Sequence, residues 1–101
     1  MRKKLDEIHP GEILSEEFLK PMGITSTRLA ADLDVPTSRI SEIVNKRRPI
    51  TVDTAMRLAA FFNMEARFSL NLQAEYDVRV AESALLPEIK GRIRPFDFLV
   101  L

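Results

Sequence analysis

The chain has 101 residues, of which 46% are apolar and 30% are charged, and its formal net charge is zero. That length is enough for one domain with a hydrophobic core but leaves little room for a deep enzyme cleft. The lack of cysteine excludes disulfides and thiolate zinc sites, and no stretch approaches the roughly 18 apolar residues of a membrane span. The basic start of the chain lacks the apolar run of a signal peptide, so we expect a single cytoplasmic domain over residues 1–101, without membrane association.

The first predicted helix spans about residues 10–20. Pro10 is favourable in its first turn, because the N–H that proline lacks would have no partner there. Pro21-Met22-Gly23 should end the helix, and Gly23 is the natural residue for its left-handed cap.

Residues 26–45 have the pattern of a helix-turn-helix. Apolar side chains recur at i, i+3 and i+4 in two short segments, about 26–33 and 37–45, and Thr25 or Ser26 can serve as the N-cap of the first. Asp34 lies between the segments and is among the few residues besides glycine that tolerate the positive φ of a tight turn. In this architecture the second helix lies in the DNA major groove.

A fourth helix is expected over about 52–62, between a Thr51 N-cap and a left-handed Asn63, and a fifth over about 66–85. The fifth helix is the longest and carries two apolar stripes, whereas one is enough to pack it on a small bundle. We expect one stripe, through Phe68, Leu72 and Tyr76, to face the core. Leu86-Pro87 should end this helix, and an apolar tail follows within residues 86–101. The second stripe and this tail together predict a homodimer. Its expected interface contains Leu70, Val78, Leu85, Phe96 and Phe98.

The sequence contains no pattern typical of a catalytic, metal-binding or cofactor-binding site. His9 is the only histidine, and beside Pro10 at a helix start an imidazole is more often a cap than a catalyst. Neighbouring carboxylates such as Glu16 and Glu17 point apart on a helix. No phosphate-binding glycine loop or metal-ligand spacing is present, so we expect a protein that is not an enzyme and uses no metal or cofactor.

The polar face of the third helix is the strongest candidate for a binding site. On it, Arg39 can donate to guanine O6 and N7, and Glu42 can accept from a cytosine amine. The consecutive cations Lys46, Arg47 and Arg48 follow the helix and suit phosphates, as does the amino end of the second helix. An ordinary solvent-exposed helix surface would account for each of these polar residues separately, but not for their occurrence together on one face. The expected contacts to double-stranded DNA are Ser26, Thr27, Arg28, Thr37, Ser38, Arg39, Ser41, Glu42, Asn45, Lys46, Arg47 and Arg48.

Several runs of the chain resemble the HigA family of antitoxins, within the Xre-type, lambda-repressor-like group. They are His9–Leu14, Glu17–Leu19, Gly23–Thr25, Asn71–Gln73 and Tyr76–Asp77, together with the helix-turn-helix. The resemblance covers about residues 7–82. It implies an all-α, five-helix lambda-repressor-like domain with a long C-terminal helix. It also implies a dimeric repressor that binds its own operator and neutralises a toxin, a ribosome-dependent mRNA endonuclease.

The chain departs from that family at three places. Lys46 stands where the family usually has glycine, and Ser69 where it usually has tryptophan. The tail from Phe96 to Leu101 has no counterpart in the family.

Three functions are compatible with the sequence. The chain is an antitoxin that represses its own operon, a stand-alone Xre-type regulator without a toxin, or a helical adaptor that binds only protein. A neighbouring reading frame for a small basic protein would favour the first over the second. A salt-dependent gel shift would distinguish both from the third.

Overall fold

A computed structural model describes residues 8–97 and shows them to be all-helical. The first helix, α1, joins three helical stretches, Pro10–Ile13, Leu14–Leu19 and Lys20–Met22. The others are α2 (Ser26–Leu33), α3 (Thr37–Val44), α4 (Val52–Phe62), α5 (Ala66–Ala84) and α6 (Leu86–Arg92). The all-α class is therefore confirmed, and the five predicted helices are all present within the described residues. None of these helices is long and apolar enough to cross a membrane.

Helix α1 contains a π-helical stretch, Leu14–Leu19, in which the Lys20 N–H bonds to the Ser15 carbonyl five residues back. In a regular α-helix the ring of Pro21 would clash with the carbonyl four residues before it. The wider π turns precede Pro21 and relieve that clash. Helix α1 continues through Pro21 to Met22, and the predicted left-handed cap at Gly23, with φ +65°, is confirmed.

Left-handed residues end α2 and α4 as the sequence indicated. Asp34 has φ +58° and Asn63 has φ +53°. In the turn after α2, the Val35 N–H donates to the Ala30 carbonyl at 3.0 Å, five residues back, which satisfies an otherwise open helix end. The predicted N-caps at Thr25 and Thr51 are also present, with each hydroxyl accepting a backbone N–H.

Helix α6 was not predicted. Pro87 was expected to end helical structure, but it lies in the first turn of α6, where its missing N–H costs nothing. Glu88 in the first turn and Lys90 and Arg92 in the last turn also match the helix dipole. Phe96 lies beyond α6 and is exposed, whereas Phe98 lies outside the described residues.

The core-facing side of α5 differs from the expected stripe. Phe68 is 43% exposed, whereas Ser69 is only 4% exposed and Gln73 is also buried. Leu70 packs partly against the domain core, so its placement on the outer stripe was wrong. The apolar pattern missed this face because its most buried residues are polar, and their polar atoms are satisfied within the described structure.

The core lies where α1, α2, α3 and α4 meet. Its buried apolar residues are Leu14, Leu19, Leu29, Ala30, Leu33, Ile40, Ile43, Ile50, Ala55 and Leu58. Ala30 is fully buried, which agrees with the close approach of α2 and α3 that a helix-turn-helix requires.

A very close backbone approach joins α1 to the end of α3. A Cβ atom placed on Gly11 would lie 1.7 Å from the Ile43 carbonyl oxygen. Because that neighbour is backbone rather than a flexible side chain, no rotamer change can make room. Glycine at this position thus allows α1 to rest directly on α3.

We predict that Gly11→Ala destabilises the fold by about 1–3 kcal/mol, because α1 must move away from α3. Urea unfolding measures the change. The matched control is Gly91→Ala in α6, where an added Cβ meets nothing within 4 Å and helix propensity gains up to about 1 kcal/mol. Equal stability of Gly11→Ala and the wild type would contradict the proposed constraint.

Candidate nucleic-acid interface

Helix α3 presents the polar face that the sequence predicted. Ile40 and Ile43 are fully buried, which fixes the rotation of the helix on the core. Thr37 and Ser38 are consequently exposed, and Arg39, Ser41 and Glu42 are half-buried beside them. The predicted residues of this helix therefore share one accessible side.

The amino end of α2 is held by Thr25, whose Oγ1 accepts the Arg28 N–H at 3.1 Å. Ser26 is half-buried, and Thr27 and Arg28 are exposed. The Arg28 guanidinium lies 3.4 Å from the Asp32 carboxylate one turn later. This cation is thus available at the surface but already has an acidic neighbour.

Arg39 is part of an ion network that sequence analysis missed. Its Nη1 lies 2.5 Å from Asp53 Oδ2, and Arg57 Nε lies 3.0 Å from the same oxygen. Hydrogen bonds from Arg57 first, and then from Arg39, hold the pKa of Asp53 below its usual value. Asp53 and Arg57 are one turn apart on α4, and this spacing was the only sequence signal for their pairing.

Arg57 also binds the backbone of the turn between α2 and α3. Its Nη1 donates to the Leu33 carbonyl at 2.8 Å and to the Asp34 carbonyl at 3.3 Å. Cationic side chains at a helix end satisfy the last carbonyls and oppose the negative pole of the dipole. Arg57 therefore connects the turn of the helix-turn-helix to α4.

The basic residues that follow α3 are also close to acidic groups. Lys46 Nζ lies 3.2 Å from Glu12 Oε1 on α1, and Arg48 Nη2 lies 2.9 Å from Glu42 Oε1 on α3. Asn45 and Arg47 are exposed. Because exposed ion pairs contribute little net free energy, a phosphate can replace either carboxylate at small cost.

Gln73 holds the segment that carries these cations. Its Oε1 accepts the Ile50 N–H at 2.8 Å, and its Nε2 donates to Asp77 Oδ1 at 2.9 Å. The bond to Ile50 is buried, so it is shielded from water. The residues between α3 and α4 are thereby fixed to α5, a contact that the apolar pattern did not reveal.

His9 is a structural cap, as its position predicted. Its Nδ1 accepts the Gly11 N–H at 2.9 Å, and its ring packs edge-on against Tyr76 with centroids 4.9 Å apart. Burial, followed by the nearby Lys46 charge, lowers the pKa of His9 from its ordinary value. This favours the neutral imidazole, whose unprotonated Nδ1 can accept this bond. Within residues 8–97 no cluster of three metal-ligating side chains occurs.

The chain matches the helix-turn-helix family over residues 16–68. Virulence-associated protein I of Dichelobacter nodosus is 51% identical over 81 residues, which are 80% of this chain and 75% of that protein. Antitoxin HigA-1 of Vibrio cholerae is 39% identical over 79 residues, 77% of this chain and 74% of the relative. The structure of Pseudomonas aeruginosa antitoxin HigA with the higBA promoter is similar with a TM-score of 0.86 at 40% identity. That match covers 89% of this chain and 98% of the solved one.

We predict that Lys46→Gly makes the protein more stable but weakens its binding to DNA. Lys46 has φ +65°, a conformation that costs a residue with a Cβ about 1 kcal/mol and costs glycine little. Loss of one phosphate contact should make the salt dependence of log K shallower by about 0.9. Thermal unfolding and DNA-binding titrations at several salt concentrations measure the two effects.

The matched control is Asp34→Gly, which relieves the same left-handed backbone without removing a cation. It should not make the salt slope shallower. An unchanged slope in Lys46→Gly would show that Lys46 contacts no phosphate.

Proposed function

The chain belongs to the HigA family of helix-turn-helix proteins, and on that premise we propose that it is a sequence-specific DNA-binding repressor and the antitoxin of a toxin–antitoxin pair. The observation that carries the proposal is the accessible polar face of α3, flanked by the cations of residues 46–48. A related HigA of 40% identity was solved together with promoter DNA. The family is one of regulators and antitoxins rather than enzymes.

In this proposal α3 enters the major groove and reads base edges. Arg39 is the guanine reader, and Thr37, Ser38, Ser41 and Glu42 contact neighbouring edges. The amino end of α2, with Ser26, Thr27 and Arg28, and the segment from Asn45 to Arg48 bind phosphates and so fix the register. Because phosphates carry no sequence information, discrimination rests on α3.

A homodimer is proposed because one recognition helix reads too few base pairs for selectivity. Val78 and Leu85 on α5 are 54% and 51% exposed, and Ile89 on α6 is 44% exposed. These three residues line a groove of about 180 Å³ together with Ala81, Glu82 and Leu86. Burial of this apolar surface between two copies would place two recognition helices about 34 Å apart on an inverted repeat.

The identity of the neighbouring gene distinguishes an antitoxin from a stand-alone regulator. A small basic reading frame whose product is toxic alone, and harmless when expressed with this chain, supports the antitoxin. We place both activities in the cytoplasm, where the operator is. A neighbouring gene with no effect on growth would leave DNA regulation as the function and would contradict the antitoxin role.

Arg39→Ala is predicted to weaken operator binding by about 1–3 kcal/mol and to relax specificity at one base pair. The measurement is titration of DNA duplexes from upstream of the gene, with each base pair substituted in turn. The matched control is Arg79→Ala, which removes an arginine paired with Glu75 on α5, outside the proposed interface. If Arg39→Ala and Thr37→Ala bind as the wild type does, α3 is not the reader.

Val78→Asp is predicted to give a folded monomer with much weaker operator binding, because a charge cannot be buried unpaired in the dimer interface. Sedimentation at tens of micromolar measures the oligomeric state. Val52→Asp is the matched control for the oligomeric state, since Val52 on α4 is 59% exposed and lies outside the α5–α6 groove. A wild-type monomer at this concentration would contradict the dimer.

A further inference from the structure

We propose that Asp53, on α4 and outside the recognition helix, is a positioning residue that determines base specificity by holding the guanidinium of Arg39. The inference rests on the proposed function, in which Arg39 reads a guanine. Its observation is a chain of contacts from the turn of the helix-turn-helix, through Arg57 and Asp53, to Arg39.

The first step is that Arg39 is restrained before DNA arrives. Its side chain is 29% exposed although it lies in the first turn of a surface helix, and its Nη1 is 2.5 Å from Asp53 Oδ2. A long arginine side chain left in water samples many rotamers. A hydrogen bond to a carboxylate confines the guanidinium to one region beside α3.

The second step is that Asp53 is itself anchored. Asp53 Oδ2 accepts a hydrogen bond from Arg57 Nε at 3.0 Å, while Arg57 Nη1 bonds to the Leu33 carbonyl at 2.8 Å. That carbonyl belongs to the backbone at the end of α2. The position of the Arg39 guanidinium is therefore set relative to the turn between α2 and α3, and not only by its own helix.

The third step is that this restraint leaves the reading edge available. A guanidinium has five N–H donors in a rigid planar fork, and Asp53 accepts from one nitrogen of Arg39. The remaining donors can form paired bonds to guanine O6 and N7 while Asp53 stays in place. Ordering the side chain before binding removes an entropy cost that the cognate base would otherwise have to offset.

The fourth step is that Asp53 acts against incorrect sequences. Its carboxylate repels phosphates, so it lowers affinity for any DNA that offers Arg39 no base partner. Loss of this charge should therefore raise non-specific affinity and lower discrimination at one position. Asp53 also lies in the first turn of α4, where an acid favours the helix dipole. That role alone would affect stability but not base preference.

The experiment compares Asp53→Asn with the wild type on duplexes from upstream of the gene, with every base pair substituted singly. We expect discrimination to fall by about three- to tenfold at the base pair that Arg39→Ala also affects. Other positions should stay unchanged, and affinity for unrelated duplex DNA should rise at low salt. In an Arg39→Ala background, Asp53→Asn should no longer alter base preference.

Asp32→Asn is the matched control. It removes another acid paired with an arginine one turn away, Arg28, but on α2. It should raise non-specific affinity and leave base discrimination intact. Circular dichroism and thermal unfolding of each variant establish that the proteins compared are folded.

Two results would overturn the inference without contradicting the proposed function. In one, Arg39→Ala loses discrimination at a base pair and Asp53→Asn retains it, which leaves the proposed function intact. In the other, Asp53→Asn loses affinity equally at all positions, as a purely structural residue would. If Arg39→Ala itself retains full discrimination, the proposed reading by α3 fails, and this inference fails with it.

Discussion

The contact between Gly11 and the Ile43 carbonyl sets how α1 packs against α3. With 1.7 Å between a hypothetical Cβ and that oxygen, α1 can lie against the end of α3 only because residue 11 has no side chain. This contact holds α3 on its buried side, opposite the accessible polar face. His9 and Lys46 lie at the same junction, where His9 caps α1 and Lys46 is paired with Glu12 of α1. The helix start and the segment that follows α3 therefore form one unit.

The zero net charge of the chain is consistent with DNA binding because of where the acids lie. Arg39, Lys46 and Arg48 are each close to a carboxylate, and the acids come from α1, α3 and α4. The pairs of Lys46 and Arg48 are weak in water and can be exchanged for phosphates, whereas Asp53 is proposed to stay bound to Arg39. The acids therefore cost little affinity at the correct site. They reduce attraction to DNA in general, which favours selectivity over indiscriminate electrostatic binding.

Hydrogen bonds of polar residues explain the sequence run around Gln73, which the apolar pattern of the helix does not account for. Gln73 and Asp77 belong to the run that resembles HigA proteins, and Gln73 is bonded to both Ile50 and Asp77. Ser69 is buried beside a small void of about 10 Å³. Its short side chain is thus enclosed by neighbouring groups and does not border a large cavity.

Local spacing and backbone preference are enough to predict the all-α class, the extents of α2 and α4, and the left-handed residues Asp34 and Asn63. It also indicated the accessible face of α3, since the buried Ile40 and Ile43 define the opposite side. Packing between helices set what a local pattern cannot encode: the turn of Leu70 toward the core and the burial of Ser69 and Gln73 on α5. It alone brought Asp53 to Arg39, because residues fourteen apart meet only once α4 has packed beside α3.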